Sequence, residues 1–473
     1  MGGLFGVASK KDCVSDLFFG IDYHSHLGTH RGGMTVYDGK FFDKSIHNIE
    51  NAPFRTRFGN DMLEMKGYIG IGSISDSDPQ PLIVRAHFGT FVLATVGRIN
   101  NADELLNDML NQRRGQFNER TSGEISTTEL AASVISGSDN LIEGIQKAQQ
   151  DIKGSMTMLV LTADGIYAAR DYYGRTSLTI GKKEDAYAVS MENFAYQNLG
   201  YQDEYELGPK EIVKITPDGF SQISPPGEKM QICAFLWTYY GYPTASYSGR
   251  NVEEVRYLCG QALARRDKHM DVDGVSGVPD SGVAHALGYS HASGLPYNRP
   301  LIKYTPTWPR SFMPSNQSQR LHIAQMKLVS IPTLIKDKKL LLIDDSIVRG
   351  TQTKKMASYL FDEGAKEVHV RSASPPIMYG CRYLNFSRST SEFDLITHRI
   401  IKELEGENYE KNLHLYTDAN TAEHQAMVDE ICKRSDFTSL KYMDLNDMID
   451  AIGLEPCKVC KKCWLINREE DDD

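Results

Sequence analysis

The sequence has no apolar run near the roughly 20 residues that span a bilayer, so a membrane-spanning helix is not expected. Its first residues lack the basic and then apolar pattern of a secretory signal. Cysteine is sparse, with 8 in 473 residues, and this excludes a small secreted protein built on disulfides. Together these absences predict a cytoplasmic protein with no membrane partner.

Positive charge is also in deficit, because 52 Lys and Arg residues stand against 62 Asp and Glu residues, a formal net charge of -10. A protein whose main partner is nucleic acid normally concentrates basic residues on one face. We therefore expect no nucleic-acid partner. The chain is long enough for two or more domains that each have a core of their own.

What is present divides the chain at a linker-like segment, "SPPGEKMQ" (224–231). Before it, short alternating apolar runs such as "GTFVLATVGRI" (89–99) favour a mostly antiparallel β domain with a few helices. After it, apolar strands alternate with helical stretches, which predicts βαβ units and a parallel sheet. We expect one domain at 1–228, a second at 229–467 and an acidic tail, "REEDDD", at 468–473.

One segment of the second half joins a buried strand to two carboxylates and a loop: "KKLLLIDDSIVRGTQTKKM" (338–356). Ligands of parallel sheets bind beyond the carboxyl ends of strands, where Asp344 and Asp345 fall, and a helix N-terminus binds phosphate. The segment is no Walker A loop, because the G-x-x-x-x-G-K-[ST] spacing is absent. Two carboxylates beside an anion loop suit ribose hydroxyls or Mg²⁺, so the implied ligand is a phosphorylated sugar. The alternative is that Asp345 only caps a helix.

A second strand, turn and helix follow the same pattern in "GVSGVPDSGVAHALG" (274–288). Its turn, 279–282, lets the backbone approach a second anion. A long polar segment (301–328) separates the two loops, and it is either an ordinary surface connection or a closing lid. Its basic residues include Lys303, Arg310, Arg320 and Lys327.

These loops carry a resemblance to a known family. "LLLIDDSIVRGTQT" resembles the phosphoribosylpyrophosphate (PRPP) signature of type I phosphoribosyltransferases, which reads V-D-D-S-I-V-R-G-T-T in glutamine PRPP amidotransferases. "GVPDSG" matches the pyrophosphate loop of that family, and "PRSFMPSNQSQR" resembles its lid. The likeness spans nearly the whole chain. It implies an α+β domain similar to N-terminal-nucleophile hydrolases, followed by an α/β type I phosphoribosyltransferase domain.

The resemblance also implies roles by position. The reaction would be displacement of pyrophosphate from C1 of the ribose of PRPP by ammonia, which gives 5-phosphoribosylamine in the first step of purine synthesis. Asp344, Asp345 and Ser281 would place Mg²⁺, and Arg310 and Lys327 would be catalytic residues on or near the lid. The implied PRPP-binding residues are Val278, Pro279, Asp280, Ser281, Gly282, Lys303, Asp344, Asp345, Ser346, Ile347, Val348, Arg349, Gly350, Thr351, Gln352 and Thr353. Purine nucleotides as effectors and a homodimer or homotetramer are implied as well.

Three cysteines lie close together in "CKVCKKC" (457–463), a spacing more typical of metal binding than of packing. Some members of the family carry a 4Fe–4S cluster. The resemblance implies four ligands for it, with Cys457 as an alternate: Cys233, Cys381, Cys460 and Cys463. Zinc is the rival metal, since four thiolates also suit it.

The first residues depart from the family at the glutaminase nucleophile. "MGGLFGV" stands where the family has C-G-x-F-G-I or similar, so Gly2 occupies the nucleophile position. The family's glutamine-binding Arg is missing from "GSISDSD" (72–78), and Val96 replaces its oxyanion Asn. We therefore expect that glutaminase activity is lost and that the transferase depends on ammonia.

Three alternatives stay open at this point. A non-catalytic paralog would bind PRPP or nucleotides and regulate an active partner. A phosphoribosyltransferase with another acceptor is also compatible, because "YYGYPT" (239–244) departs from the family's Y-F-A-R-P-D-S. The third is a glutaminase that uses Cys13 as its nucleophile.

Overall fold

The structure is a computed structural model that describes residues 2–111, 125–267, 270–304, 328–384 and 392–465. In these ranges, no helix has the length and apolar character needed to cross a membrane. The strands of the first half are β1 (Gly2–Ser9), β2 (Arg31–Tyr37), β3 (Phe42–Asn48), β4 (Ile69–Ser75), β5 (Leu82–Ala86), β6 (Gly89–Ile99), β7 (Gly154–Thr162), β8 (Gly165–Ala169), β9 (Thr179–Lys183), β10 (Ala186–Ser190), β11 (Gln202–Glu206), β12 (Ile212–Thr216) and β13 (Gly219–Ser224). The helices there are α1 (Val14–Asp22), α2 (Phe54–Arg57), α3 (Gly59–Glu64), α4 (Ala102–Asn111), α5 (Thr127–Ser136), α6 (Leu141–Asp151) and α7 (Phe194–Leu199).

These strands form two antiparallel sheets, in the orders β11-β9-β10-β1-β4-β2-β3 and β13-β12-β8-β7-β6-β5. Successive side chains of a strand point to opposite faces. Leu4 of β1 and Val92 of β6 therefore share the core between the sheets, while Phe5 packs with α1 on one outer face. On the other outer face, Phe91 packs with α5 and α6. The result is a helix–sheet–sheet–helix stack, in agreement with the predicted antiparallel β domain.

The second half is built on a parallel sheet. The strands of the second half, inside and outside that sheet, are β14 (Ile232–Cys233), β15 (Ser246–Tyr247), β16 (Arg250–Asn251), β17 (Gly274–Gly277), β18 (Leu301–Lys303), β19 (Leu328–Ser330), β20 (Lys339–Asp344), β21 (Glu367–Ser372), β22 (Ser439–Tyr442) and β23 (Val459–Cys460). Its helices are α8 (Val252–Arg266), α9 (Val283–Ser293), α10 (Thr351–Asp362), α11 (Ile396–Glu405), α12 (Tyr409–Asn412), α13 (Ala422–Arg434) and α14 (Leu445–Ile452). Single turns of 3₁₀- or π-helix lie at Leu236–Tyr240, Pro332–Leu334, Glu392–Asp394, Gly406–Asn408, Leu413–Tyr416 and Pro456–Lys458.

The parallel sheet has the order β17-β20-β21-β22, which bears out the expected βαβ arrangement. The apolar run that precedes Asp344 is fully buried, because parallel strands are covered on both faces. In the register of the sheet, Asp344 is the partner of Ser372, and Ser372 is the partner of Tyr442. The carboxyl ends of the strands therefore meet at one edge, where the loops after β17 and β20 also lie.

The end of the described chain returns to the start of the second half. Strand β23 pairs with β14 in parallel, with Cys460 opposite Cys233. Trp464 stacks on Phe235 with ring centroids 5.1 Å apart, and its indole N–H donates to the carbonyl of Pro375 at 3.2 Å. This packing fixes the segment after α14 against the second domain.

Candidate active site and four-cysteine cavity

The two aspartates at the end of β20 are buried, with Asp344 8% and Asp345 5% exposed. The hydroxyl of Ser281, from the loop after β17, donates to Asp345, and the hydroxyl of Ser346 donates to its other oxygen at 2.6 Å. The backbone N–H of Asp345 donates to Oδ1 of Asp344 at 3.0 Å. The carboxylate pair is thus the point where the two predicted anion loops meet.

Burial and the neighbouring charge of Asp345 raise the pKa of Asp344 well above its usual range. Burial also raises the pKa of Asp345, although hydrogen bonds from Ser281 and Ser346 and the charge of Arg256 oppose that rise. A second carboxylate nearby disfavours ionisation, and a bound cation removes the penalty. The carboxylate oxygens of Asp344 and Asp345 are ligands of the type that Mg²⁺ prefers.

The loop after β17 contains Val278, Pro279, Asp280, Ser281 and Gly282, and α9 begins directly after it. Two backbone hydrogen bonds shape it, from Val278 to the carbonyl of Ile343 and from Gly282 to the carbonyl of Val278, both at 2.9 Å. At the loop surface, Asp280 forms an ion pair with Lys303, the last residue of β18, at 2.7 Å. The structure therefore brings Lys303 to the loop that contains the five predicted pyrophosphate residues.

The loop after β20 runs from Asp345 to Gly350 and leads into α10, whose first turn contains Thr351, Gln352 and Thr353. Gly350 has a φ of +72°, a left-handed conformation that glycine adopts without strain. A Cβ on Gly350 would collide with the side chain of Ile396. The start of α11 also fixes this loop, because the N–H of Ile396 donates to the carbonyl of Val348 at 2.9 Å.

Not every predicted residue of this loop can reach a ligand with its side chain. Ile347 is buried in the core with 2% exposure, so only its backbone is available. The hydroxyl of Thr353 donates to the carbonyl of Gly350 at 3.2 Å and closes the first turn of α10. The catalytic residues expected on the lid, Arg310 and Lys327, lie outside the described residues.

One buried cation near the carboxylates was not predicted. Arg256 of α8 donates to three carbonyls of the turn before it, those of Trp237 at 2.8 Å, Tyr239 at 3.0 Å and Gly241 at 2.9 Å. Its charge also favours the ionised form of Asp345. No sequence signal marks this residue, because its role depends on carbonyls 15–19 positions away in an irregular turn.

The four predicted thiols line one cavity, together with Arg175 and Tyr383: Cys233, Cys381, Cys460 and Cys463. Cys233 and Cys460 are partners in the β14–β23 pair, and the Cys381 and Cys463 thiols hydrogen-bond to each other. That hydrogen bond lowers the pKa of Cys381 to about 6, whereas burial raises the pKa of Cys233. The alternate, Cys457, is exposed and lies beside Glu455 rather than in the cavity lining.

The lining of this cavity supplies the four thiols that either metal group expected from the sequence would need. Within the ranges that the structure describes, no group of three or more His, Cys, Asp or Glu residues could hold a single ion. A single zinc needs its sulfur ligands about 2.3 Å from one point. A cluster of four irons takes one thiolate for each iron, and four thiols line this cavity.

A second cavity lies at the start of β1. Its described lining residues are Gly2, Ser75, Ser77, Asp78, Gln80, Thr95, Val96, Gly97, Thr127 and Leu384. This lining contains no cysteine, and Asp78 is already bonded to the hydroxyl of Thr127 at 2.7 Å. A Cβ on Gly2 would stand 2.5 Å from the carbonyl oxygen of Ile74. The pocket therefore keeps a polar wall and lacks a thiol nucleophile in this lining.

Cys13, the remaining candidate nucleophile, immediately precedes α1 and is 1% exposed. It belongs to the outer core beneath α1, and burial raises its pKa. A buried thiol with a raised pKa has little thiolate at neutral pH, and the thiolate is the nucleophile. Its position therefore argues against a glutaminase that uses Cys13.

Comparisons with known proteins agree with this architecture. A family model described as a glutamine amidotransferase domain matches residues 69–196. The amidophosphoribosyltransferase of Pyrococcus horikoshii is 31% identical, over 86% of this chain and 89% of that protein. The amidophosphoribosyltransferase of Methanocaldococcus jannaschii is 29% identical, over 97% of this chain and 96% of that protein.

Solved structures give the same result for the fold. The glutamine PRPP amidotransferase of B. subtilis, solved in complex with ADP and GMP, has a TM-score of 0.83 and 27% identity, and covers 98% of this chain and 96% of that chain. A structure described as the allosteric regulatory enzyme of purine biosynthesis also has a TM-score of 0.83 and 27% identity, and covers 98% of this chain and 95% of that chain. The predicted fold class is confirmed, an N-terminal-nucleophile-hydrolase-like domain followed by a type I phosphoribosyltransferase domain. Because these relatives match 86–97% of this chain, and one of them is 31% identical, the chain belongs to the amidophosphoribosyltransferase family.

Proposed function

We propose that this protein transfers the phosphoribosyl group of PRPP to ammonia, releasing pyrophosphate and forming 5-phosphoribosylamine in the first step of purine synthesis. The observation that carries the proposal is the meeting of two anion loops at a buried carboxylate pair, made by the bond from Ser281 to Asp345. Relatives named amidophosphoribosyltransferase, which match 86–97% of this chain, support it.

Each part of PRPP would be bound by a different group of residues in the site. The first turn of α10 would hold the 5′-phosphate, since the first N–H groups of a helix have no partner inside it. Asp344 and Asp345 would accept hydrogen bonds from the ribose hydroxyls, and the loop at 278–282 would hold the pyrophosphate. Mg²⁺, held by Ser281, Asp344 and Asp345, would neutralise charge on the leaving pyrophosphate.

In the reaction, the bond from C1 to the pyrophosphate oxygen breaks, a C–N bond forms, and ammonia gives up a proton. Negative charge grows on the leaving oxygens, so cationic side chains aimed at them stabilise the transition state. Lys303 is proposed for this role, and its ion pair with Asp280 supports the proposal because it holds the side-chain ammonium group beside the pyrophosphate loop. Arg310 and Lys327 are proposed to contribute from the lid.

We propose ammonia rather than glutamine as the nitrogen source. Attack on an amide needs an activated nucleophile, and glycine at position 2 offers none. The pocket beside Gly2 has Val96 in its wall where the family has its oxyanion Asn. Loss of one oxyanion donor alone costs roughly a hundredfold in rate.

We also propose a 4Fe–4S cluster on Cys233, Cys381, Cys460 and Cys463. The convergence of four thiols from distant parts of the chain on one cavity supports it. When bound, such a cluster would be structural and would hold β23 against the second domain. A division of the chain at 228/229 is proposed with it, because β13 ends at Ser224 and β14 begins at Ile232.

The transferase proposal is tested with a double variant, Asp344→Asn with Asp345→Asn. Asn keeps the shape of both side chains but removes the charge, so we expect a folded protein whose pyrophosphate release from PRPP, Mg²⁺ and ammonium falls roughly a hundredfold or more. The matched control is Asp271→Asn, because Asp271 is exposed and pairs with Lys339 at the opposite end of β20.

Two results would contradict the proposal. One is a double variant that keeps the wild-type affinity for PRPP and the wild-type rate. The other is a wild-type protein that binds PRPP in calorimetry but releases no pyrophosphate with any nitrogen source, which would favour the non-catalytic alternative.

A further inference from the structure

A cation from the first domain lies inside the four-cysteine cavity. Arg175, on the segment between β8 and β9, is 1% exposed. Its Nη1 donates to the sulfur of Cys460 at 3.2 Å and to the side-chain oxygen of Gln231 at 3.3 Å. Its guanidinium carbon stands 3.4 Å above the centre of the Tyr383 ring. The guanidinium is therefore held at the cavity wall by contacts from the second domain.

The rest of this guanidinium is unsatisfied. Its Nε and Nη2 atoms are buried and have no hydrogen-bond partner. Among the residues that the structure describes, Arg175 also forms no ion pair with a carboxylate. Arg is charged at all relevant pH values, and a buried charge with unpaired donors is costly. Such an arrangement is expected where a protein is built around an anionic group.

We propose that Arg175 is a positioning residue that supplies the counter-charge for the thiolate-bound cluster, and that its unpaired donors serve this group. The inference rests on the cluster proposed above. A cluster with four thiolate ligands is anionic, and charge and hydrogen bonds near its sulfurs set its stability and reduction potential. The first domain thereby contributes to a group whose four ligands all lie in the second.

A neighbouring arginine provides the matched control. Arg98, at the end of β6, also reaches the Cys381 segment, but it donates to the backbone carbonyl of Cys381 at 3.3 Å rather than to a thiol. Its side chain is exposed in comparison with that of Arg175. Removing Arg98 deletes a contact between the domains without removing charge from the cavity.

The experiment compares wild type with Arg175→Met, Arg175→Lys and Arg98→Met, all purified anaerobically as the full chain. Iron and acid-labile sulfide per chain, the rate of iron loss to a chelator and the reduction potential are measured, and far-UV circular dichroism checks folding. Loss of an outer-shell partner typically costs about 10- to 100-fold in metal affinity. We therefore expect Arg175→Met to lose iron roughly 10- to 100-fold faster.

The potential gives a readout that a purely structural role would not move. Because a cation favours the more negative reduced state, Arg175→Met should shift the potential in the negative direction, while Arg98→Met should not. Arg175→Lys keeps the charge but not the planar fork of donors, so its potential should stay near wild type while iron loss accelerates about tenfold.

The outcomes separate the two proposals. A wild type without iron and sulfide overturns the cluster, and this inference with it. A wild type that holds iron, beside an Arg175→Met variant with the same iron loss and potential, overturns only the role of Arg175. If Arg175→Met does not fold, Arg175→Lys decides, because iron loss at the wild-type rate in that variant contradicts the proposal.

Discussion

At the scale of single residues, Asp344 lowers the stability of the ligand-free protein at neutral pH, and a bound cation would relieve this cost. Its pKa lies well above the ordinary value of 3.8, because burial and the charge of Asp345 penalise ionisation. Since the pKa is raised in the folded state, the stabilising contribution of the protonated group is fully present below its unfolded pKa. That contribution is lost as the pH rises through the folded pKa. The ligand-free protein therefore carries a penalty at neutral pH that a bound cation would relieve.

The variant Asp344→Asn tests whether ionisation of Asp344 lowers the stability of the ligand-free protein. Asn keeps Oδ1, which accepts the N–H of Asp345 at 3.0 Å, but it cannot ionise. We expect a higher free energy of unfolding than wild type at pH 7, by about 1.4 kcal/mol for each unit of raised pKa, and little difference below pH ~4. Urea unfolding of the ligand-free protein at both pH values is the measurement. A variant less stable than wild type at pH 7 would show that the burial penalty is absent.

The roles of two other residues could not be predicted from the sequence, because they depend on contacts formed only in the folded chain. Arg175 meets Cys460 from 285 positions away, so no local pattern marks it. Arg256 likewise acts through carbonyls of an irregular turn. The positions of Asp344 and Asp345 beside the loops after β17 and β20 could be predicted, because strand, turn and helix are contiguous in sequence and their order fixes the sheet edge at which they meet.

At the scale of elements, the junction between the β20 loop and α10 depends on one glycine. Gly350 has positive φ, and a Cβ there would strike Ile396, which also anchors the loop through its N–H. Gly364, shortly after the end of α10, has a φ of +92° but meets nothing closer than 3.4 Å. Both glycines thus have a positive φ that would strain any other residue, but only Gly350 contacts Ile396.

Gly350→Ala and Gly364→Ala form a matched pair on this basis. We expect each to lose about 1 kcal/mol in the free energy of unfolding, because L-residues are strained at positive φ. Only Gly350→Ala should also weaken PRPP binding, since its methyl group displaces the loop from Ile396. Thermal unfolding and titration calorimetry with PRPP and Mg²⁺ are the measurements. Equal PRPP affinity in both variants would mean that this loop does not hold the phosphate.

The same scale shows why the elements themselves were predictable. The buried run from Leu340 to Ile343 and the alternation in β6 determine their strand types, because burial on two faces or on alternate faces gives distinct patterns. The pairing of β14 with β23 was not foreseen as a strand contact, since each has only two residues. Its cysteines were assigned through the resemblance instead.

At the scale of the whole molecule, the cysteine cavity is where the domains and the end of the described chain come together. Leu384 lines both this cavity and the pocket beside Gly2, so the two sites share a wall. Arg98 and Arg175 of the first domain contact the same segment of the second. The cytoplasmic location, the effectors and the oligomeric state remain predictions from the sequence.

Removal of the proposed cluster should increase the local opening of one defined region. We expect iron chelation in the full chain to increase amide hydrogen exchange at 456–465, because β23 would lose the binding energy that the thiolates supply. The antiparallel sheets of the first domain should keep their protection and serve as the internal control. Unchanged exchange at 456–465 after iron loss, or elemental analysis showing zinc alone, would contradict the cluster's structural role.

The protein is proposed to be a phosphoribosyltransferase that uses ammonia, because glycine stands at position 2 where the family has its nucleophile. The most direct measurement is pyrophosphate release from PRPP and Mg²⁺, with ammonium or glutamine in separate reactions, for wild type and Gly2→Cys. We expect release with ammonium alone in both, since a Cβ at Gly2 crowds the carbonyl of Ile74 and the glutamine-binding Arg and oxyanion Asn stay absent. Robust glutamine-dependent release by the wild-type protein, accompanied by glutamate, would contradict the account.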